Sequence, residues 1–248
     1  MSQAVHSPEA SAIAESGYVF VPAAALYATL NAFGADDAAW RRFADSWHRM
    51  PVDRFMADGG RYRRRRHATL RAGADGRWAR LPQQPHYQSR DYNPLNGGVQ
   101  RWFSPVDPVV IDNPATAALL NLSARTFGAL APEVDPWHVE LHQFRIEAAP
   151  DREGQPTPEG VHRDGVDYVL VTLIARQNVS EGSTHIRHAD GTELGAFTLA
   201  APGDTVLLDD RRVLHGVTPI HPLDPARPAY RDALVITFAR RPPGDAPS

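Results

Sequence analysis

The chain has 248 residues, a formal net charge of −3 and 42% hydrophobic residues, which supports a packed core, excludes a disordered chain and gives no whole-chain footprint for nucleic acid. Cysteine is absent, so disulfides, zinc–thiolate sites and iron–sulfur clusters are excluded. All 26 basic residues are arginine, so any cation that anchors an anion must be an arginine.

In chain order, residues 1–16 are polar and expected to be loose. Residues 17–21 read as a short strand stopped by Pro22, which suits a helix start for residues 23–33. A second helix is expected over 36–48, with Asp36 and Asp37 in its first turn, where the helix dipole favours acids. Its Trp40, Phe43 and Trp47 share one face and read as core. The run Arg63-Arg64-Arg65-Arg66 reads as a strand with alternate arginines facing solvent, although one or two of them could reach an anionic substrate. Residues 83–103 carry Asn93-Pro94 and Asn96-Gly97-Gly98 and read as a loop or lid. Residues 113–127 are a helix candidate with Pro114 at its first position.

From Trp137 strands dominate. Residues 137–148 form a long one, 168–174 an apolar β-branched one, and 183–187, 195–199, 205–208, 213–217 and 233–239 follow as short strands between turns. The expected fold is mainly β with flanking helices. It has a double-stranded β-helix (jelly roll, cupin-like) core over 137–240, with a helical and lid part over 17–130 packed on it, in one domain of residues 1–248.

The chemistry concentrates in His162, Asp164 and His215. Two imidazoles and a carboxylate in the order His-x-Asp…His make the facial triad of a non-haem Fe(II), with open positions opposite. On a strand, residues 162 and 164 project from one face, and a hairpin through Asp210-Arg211-Arg212 would return His215 to the same mouth. His138 and His142 lie four apart with no evident carboxylate partner and read as structural, as do His185, His188 and His221.

The words around the triad narrow the reading. His162-Arg163-Asp164-Gly165-Val166-Asp167, the Pro202-Gly203-Asp204 stretch running to His215-Gly216, and the strand of Arg231 resemble the Fe(II)/2-oxoglutarate-dependent dioxygenases. Gly60-Arg61-Tyr62-Arg63, Asn93-Pro94-Leu95-Asn96-Gly97-Gly98-Val99, His142-Gln143-Phe144-Arg145-Ile146 and Pro156-Thr157-Pro158-Glu159-Gly160 bring the likeness to a bacterial subfamily. That subfamily includes L-isoleucine hydroxylases and the biofilm-stress-and-motility proteins, and the likeness covers residues 17–240.

The resemblance implies Fe(II) on His162, Asp164 and His215, and 2-oxoglutarate and O2 as co-substrates, with ascorbate as the reductant in vitro. Arg231 would anchor the distal carboxylate of 2-oxoglutarate, with Arg240 and Arg241 as fallbacks. A buried dicarboxylate calls for the bidentate fork of an arginine in any case. The activity implied is hydroxylation or another oxidation of a small molecule, a free L-amino acid by preference, with Arg145, Glu159, Arg163 and Asn96 as candidate substrate contacts. A non-catalytic metal-binding stress or biofilm protein and a cupin-type metalloenzyme without 2-oxoglutarate remain alternatives. No nucleic-acid or membrane partner is expected, the oligomeric state is open, and a bacterial cytoplasmic protein is the default.

Overall fold

In the computed structural model the described residues are 7–73 and 75–240, and they begin with a helix where a loose segment was expected. Helix α1 (Pro8–Ser16) is capped by Ser7, whose Oγ accepts from the Ala10 N–H at 3.2 Å, and Pro8 sits where a missing N–H costs nothing. Its buried face is only Ala10 and Ile13, too short an apolar signal to stand out from polar neighbours. Residues 1–6 lie outside the described residues.

Strand β1 (Tyr18–Val21) leads through Pro22 into α2 (Ala23–Ala32). Helix α3 (Asp37–Asp45) is capped by Asp36 and tightens into a 3-10 turn over Ser46–Arg49, so the expected single helix ends in a narrower turn. Trp40, Phe43 and Trp47 are buried, with ring centroids 5.5 and 5.2 Å apart along the series. Helices α4 (Pro108–Ile111) and α5 (Pro114–Leu130) begin at Asp107 and Asn113, whose side chains accept first-turn N–H groups.

The remaining strands are β2 (Arg63–Ala72), β3 (Trp78–Arg80), β4 (Ser104–Pro105), β5 (Trp137–Ala148), β6 (Tyr168–Gln177), β7 (Val179–Glu181), β8 (Thr184–His188), β9 (Glu193–Phe197), β10 (Thr205–Asp209), β11 (Val213–Val217), β12 (Ile220–Pro222) and β13 (Ala229–Ala239). The larger sheet runs β1-β10-β6-β13-β5-β2-β3, with β4 beside β2; β11-β8-β9 and β12-β7 form the smaller sheets. This is the jelly roll with helices packed on it.

Side-chain alternation decides what each face of the large sheet does. Leu234, Ile236 and Phe238 of β13 and Val139 and Leu141 of β5 share one core with Leu26, Phe43, Trp47, Leu119 and Phe127 of the helices. The intervening residues point the other way. They register in rows across three strands, Arg63 with Ile146 and Arg231, Arg65 with Phe144 and Ala233, and His67 with His142 and Val235. The arginine run therefore alternates as expected: Arg64 and Arg66 are the partly exposed pair, while Arg63 and Arg65 are buried and line the pocket.

Candidate active site

The His162-x-Asp164 segment is not a strand. Gly160 and Gly165, at φ 79° and 82°, bracket it with conformations a β-strand does not use. Backbone bonds to a partner hold it instead. His162 and His215 form one isolated bridge, each N–H donating to the other's carbonyl at 2.9 Å. From the other side, the buried Asp210 carboxylate accepts the N–H groups of Asp164, Gly165 and Val166 at 2.9, 2.8 and 3.1 Å. The turn at 210–212 is also not a hairpin: β10 belongs to the large sheet and β11 to a small one. Asp210 therefore sits at the corner between layers, and the strand after it carries His215 across to face Asp164.

The resulting geometry suits a divalent first-row metal. Asp164 Oδ1 lies 3.5 Å from His162 Nε2, and Oδ2 lies 3.5 Å from His215 Nε2. All the candidate ligand atoms fall within 4.8 Å of one another. The His162 Nδ1–H donates to the Gly160 carbonyl at 3.0 Å, which leaves Nε2 as the lone-pair nitrogen. The buried Nε2 of His215 has no hydrogen-bond partner among the described residues, an orphan that a metal ion would satisfy. Burial lowers the His215 imidazole's pKa, but the Asp164 and Asp210 carboxylates outweigh it and hold it at about 10. Burial likewise raises the Asp164 carboxyl, and the two imidazoles overcome this and keep it well below the usual carboxylate range. A carboxylate between two imidazoles thus holds protons where a cation would sit.

The profile of the 2OG-Fe dioxygenase family matches residues 44–237, which takes in the triad and the strand of Arg231. The chain belongs to this family. A crystal structure of a BsmA homologue from Methylobium petroleophilum PM1 superposes with a TM-score of 0.84 at 36% identity, covering 97% of this chain and 94% of that one. The L-isoleucine-4-hydroxylase of Bacillus thuringiensis is 26% identical over 158 residues, 62% of this chain and 65% of that protein. The 3(1)-hydroxy-L-isoleucine 4-dioxygenase of Pantoea ananatis (strain AJ13355) is 28% identical over 160 residues, 63% and 64% of the two chains. The chain thus spans just under two thirds of the length of these curated relatives.

Within this 2OG-Fe dioxygenase, Arg231 is 4% exposed and lines the pocket that contains the triad. Its Nε and Nη2 are buried without hydrogen-bond partners among the described residues. Burial, with Arg176 nearby, pushes its guanidinium down to about 10, as expected of a cation awaiting an anion. The hydroxyl of Thr184, also buried and without a partner, lines the same pocket. Membership of the family implies Fe(II), 2-oxoglutarate and O2, and this donor set, with an unpaired arginine in reach of the same cavity, fits them.

The pocket holds a second constellation. His138, Glu140 and His142 alternate along β5, so the carboxylate partner missing from the sequence reading lies between the two histidines and on the same face. Glu140 Oε2 accepts from His86 Nδ1 at 2.6 Å and lies 3.3 Å from His142 Nε2, while Oε1 lies 3.5 Å from His67 Nε2 and 3.8 Å from His138 Nε2. Burial raises the Glu140 carboxyl, but the surrounding imidazoles hold it well below its ordinary range. Burial pushes His86 down to about 4, so it stays neutral.

Of the candidate substrate contacts, Glu159 lines the pocket, with Oε1 3.4 Å from His162 Nε2 and Oε2 buried without a partner. Arg145 stands on the helix-facing side of β5, where it forms a bidentate pair with Asp232 at 2.7 Å. Asn96 accepts from the Ala57 N–H at 2.9 Å and, like Arg163, is not among the pocket-lining residues. Arg240 pairs with Asp167 at 2.9 Å, and Arg241 lies outside the described residues. Tyr87, Gln88 and Asn93 of the expected lid do line the pocket. Gln88 donates to the Asp164 carbonyl at 3.1 Å.

Proposed function

We propose that this protein is a working 2-oxoglutarate-dependent oxygenase that oxidises a small substrate, a free L-amino acid by preference, with release of succinate and CO2. The observation that carries this reading is one pocket holding both the orphaned His215 Nε2 beside Asp164 and the buried, unpaired Arg231. In this reading His162, Asp164 and His215 hold the metal, and Arg231 takes the distal carboxylate of 2-oxoglutarate through its guanidinium fork. When bound, Fe(II) with 2-oxoglutarate and O2 supplies the oxidising chemistry at the substrate C–H bond.

The chain's own groups do the rest. Gly160 O and Asp210 fix the metal-binding segment, and apolar Val166, Val171, Leu208 and Val235 line the cavity and exclude water from the reacting atoms. Glu159 takes the ammonium group of an amino acid. The curated relatives named for isoleucine chemistry support the amino-acid class.

Succinate release with Fe(II), 2-oxoglutarate and ascorbate, measured against the twenty L-amino acids, tests the reading. Stimulation by one or a few of them is expected. Uniform background across the set would remove the free amino acid as substrate, and an anaerobic preparation that forms no metal-to-ligand charge-transfer band with 2-oxoglutarate would remove the co-substrate too.

A further inference from the structure

Among the described residues five arginines are buried, at positions 63, 65, 101, 145 and 231. Arg63 and Arg145 are neutralised by Asp53 and Asp232, each at 2.7 Å. Arg65, Arg101 and Arg231 make no ion pair among the described residues, and all three line the pocket. A buried charge without a partner is costly, so each of these positions calls for an anion. The distal carboxylate of 2-oxoglutarate accounts for one of them. Two are left over.

Those two stand apart from Arg231. Arg63 and Arg231 register with Ile146 from its opposite sides, and Arg65 lies two residues beyond Arg63 on β2, so the Cα atoms of Arg65 and Arg231 are separated by two strand spacings or more, upward of about 10 Å. Arg65 packs on two rings, its guanidinium carbon 4.0 Å from the Phe103 centroid and 4.6 Å from that of Phe144. Its Nη2 donates to His142 Nδ1 at 3.1 Å, while its Nε is buried without a partner. Arg101 donates Nη2 to Gln88 Oε1 at 2.9 Å, and its Nε is likewise buried without a partner. Gln88 in turn holds the Asp164 backbone, so Arg101 sits one glutamine away from a metal ligand. Burial and the neighbouring Arg63 keep both guanidiniums below their ordinary range, and Arg101 lowers that of Arg65 further. A guanidinium only donates, so the missing partner is an acceptor, and the repulsion is relieved when that acceptor is an anion.

We propose that Arg65 and Arg101 form a second carboxylate anchor, separate from Arg231, which holds the carboxylate of the primary substrate beside the metal. The substrate is then a small carboxylic acid, and Glu159, with its buried free Oε2 next to His162, receives an ammonium group if the acid carries one. The Glu140 cluster serves this anchor from behind. Because Arg65 donates to His142 Nδ1, His142 presents Nε2–H to Glu140, which locks the ring and, through it, the guanidinium. The assignment rests on the oxygenase reading of the pocket, and its test is separable from that reading.

The chain is loaded anaerobically with Mn(II) and excess 2-oxoglutarate, and propionate is titrated while paramagnetic broadening of its proton signals is recorded. Saturable broadening that persists in excess 2-oxoglutarate is expected. In Arg65→Gln and Arg101→Gln the propionate affinity should fall at least about tenfold while 2-oxoglutarate affinity is kept. Arg101→Lys, which keeps the charge without the fork, should fall by less and serves if the glutamine variants do not fold. Absence of saturable broadening, displacement of propionate by 2-oxoglutarate, or variants that bind propionate as the wild type does would each overturn the anchor. Succinate release with the twenty L-amino acids fails independently: propionate binding without stimulation by any of them keeps the anchor and removes the amino acid.

Discussion

The pocket region contains two histidine–carboxylate clusters, in each of which the candidate ligand atoms lie within 4.8 Å of one another, yet the groups behind them differ. Around Asp164 one histidine is tied back by an acceptor: Gly160 O takes the His162 Nδ1–H, which directs the Nε2 lone pair inward. His215 Nε2 faces the carboxylates of Asp164 and Asp210 at 3.5 and 3.6 Å and has no hydrogen bond among the described residues. Around Glu140 a donor stands behind: Arg65 Nη2 occupies His142 Nδ1 at 3.1 Å, so the other ring nitrogen carries its proton towards the carboxylate. The first cluster concentrates negative potential and suits a cation. The second is a carboxylate facing imidazole N–H groups, next to Arg65 and Arg101, which make no ion pair among the described residues, and a cation there would meet both. Proximity of donor atoms does not define a metal site; the groups behind the ligands do.

That contrast can be broken at the ligands. Asp164→Ala should lose metal affinity by more than the roughly 10–100-fold typical of removing a supporting partner, read by competition with a metal chromophore. A weaker effect is expected one shell out. Asp210→Asn keeps an acceptor but loses the charge that faces three backbone N–H groups and His215, so metal affinity should fall about 10-fold with folding retained. Metal affinity equal to that of the wild type would show that the corner carboxylate plays no part in shaping the site.

A further effect, on stability and not on metal affinity, separates the clusters by pH. His86 is held at about 4 against 6.5 for the free side chain, so between those values the unfolded chain takes up a proton that the folded one refuses. Folding stability therefore declines as pH falls from 6.5 towards 4, by on the order of 3 kcal/mol. Glu140, whose carboxyl is also lowered, adds a loss of the same sign at more acid pH. His215 in the metal-free protein runs the other way: held at about 10, it stabilises below pH 6.5 and that contribution is lost as pH rises towards 10. Denaturant midpoints at pH 5 and 7 should show the acid loss in the wild type and a reduced one in His86→Asn.

Much of this was legible in the sequence where local chemistry sets the outcome. Trp137–Ala148 reads as a strand because it lacks glycine and proline, and Pro114 after Asn113 marks a helix start that the structure keeps. The triad letters were legible too, but not how they are held: His162 and Asp164 meet through a bridge to His215 and through Asp210, not through a shared strand. Nothing near Asp210 announces that it will cap a loop more than forty residues earlier in the chain. Period-two alternation gave the arginine run correctly but not which pair is buried, because which face of β2 is covered depends on β5 and on the loop carrying His86 and Arg101. The Glu140 cluster left a signal that was there to be used: His138-x-Glu140-x-His142 places a carboxylate between two imidazoles on one face of a strand. Arg145 shows the converse, since one step of register turns it from the pocket to Asp232.

The most direct measurement is metal stoichiometry in the wild type, Asp164→Ala and Glu140→Gln after loading with Fe(II) or Mn(II) and removal of free ion. One bound ion per chain is expected in the wild type, none in Asp164→Ala and one in Glu140→Gln. Two ions per chain, or an ion retained by Asp164→Ala and lost from Glu140→Gln, would contradict that expectation.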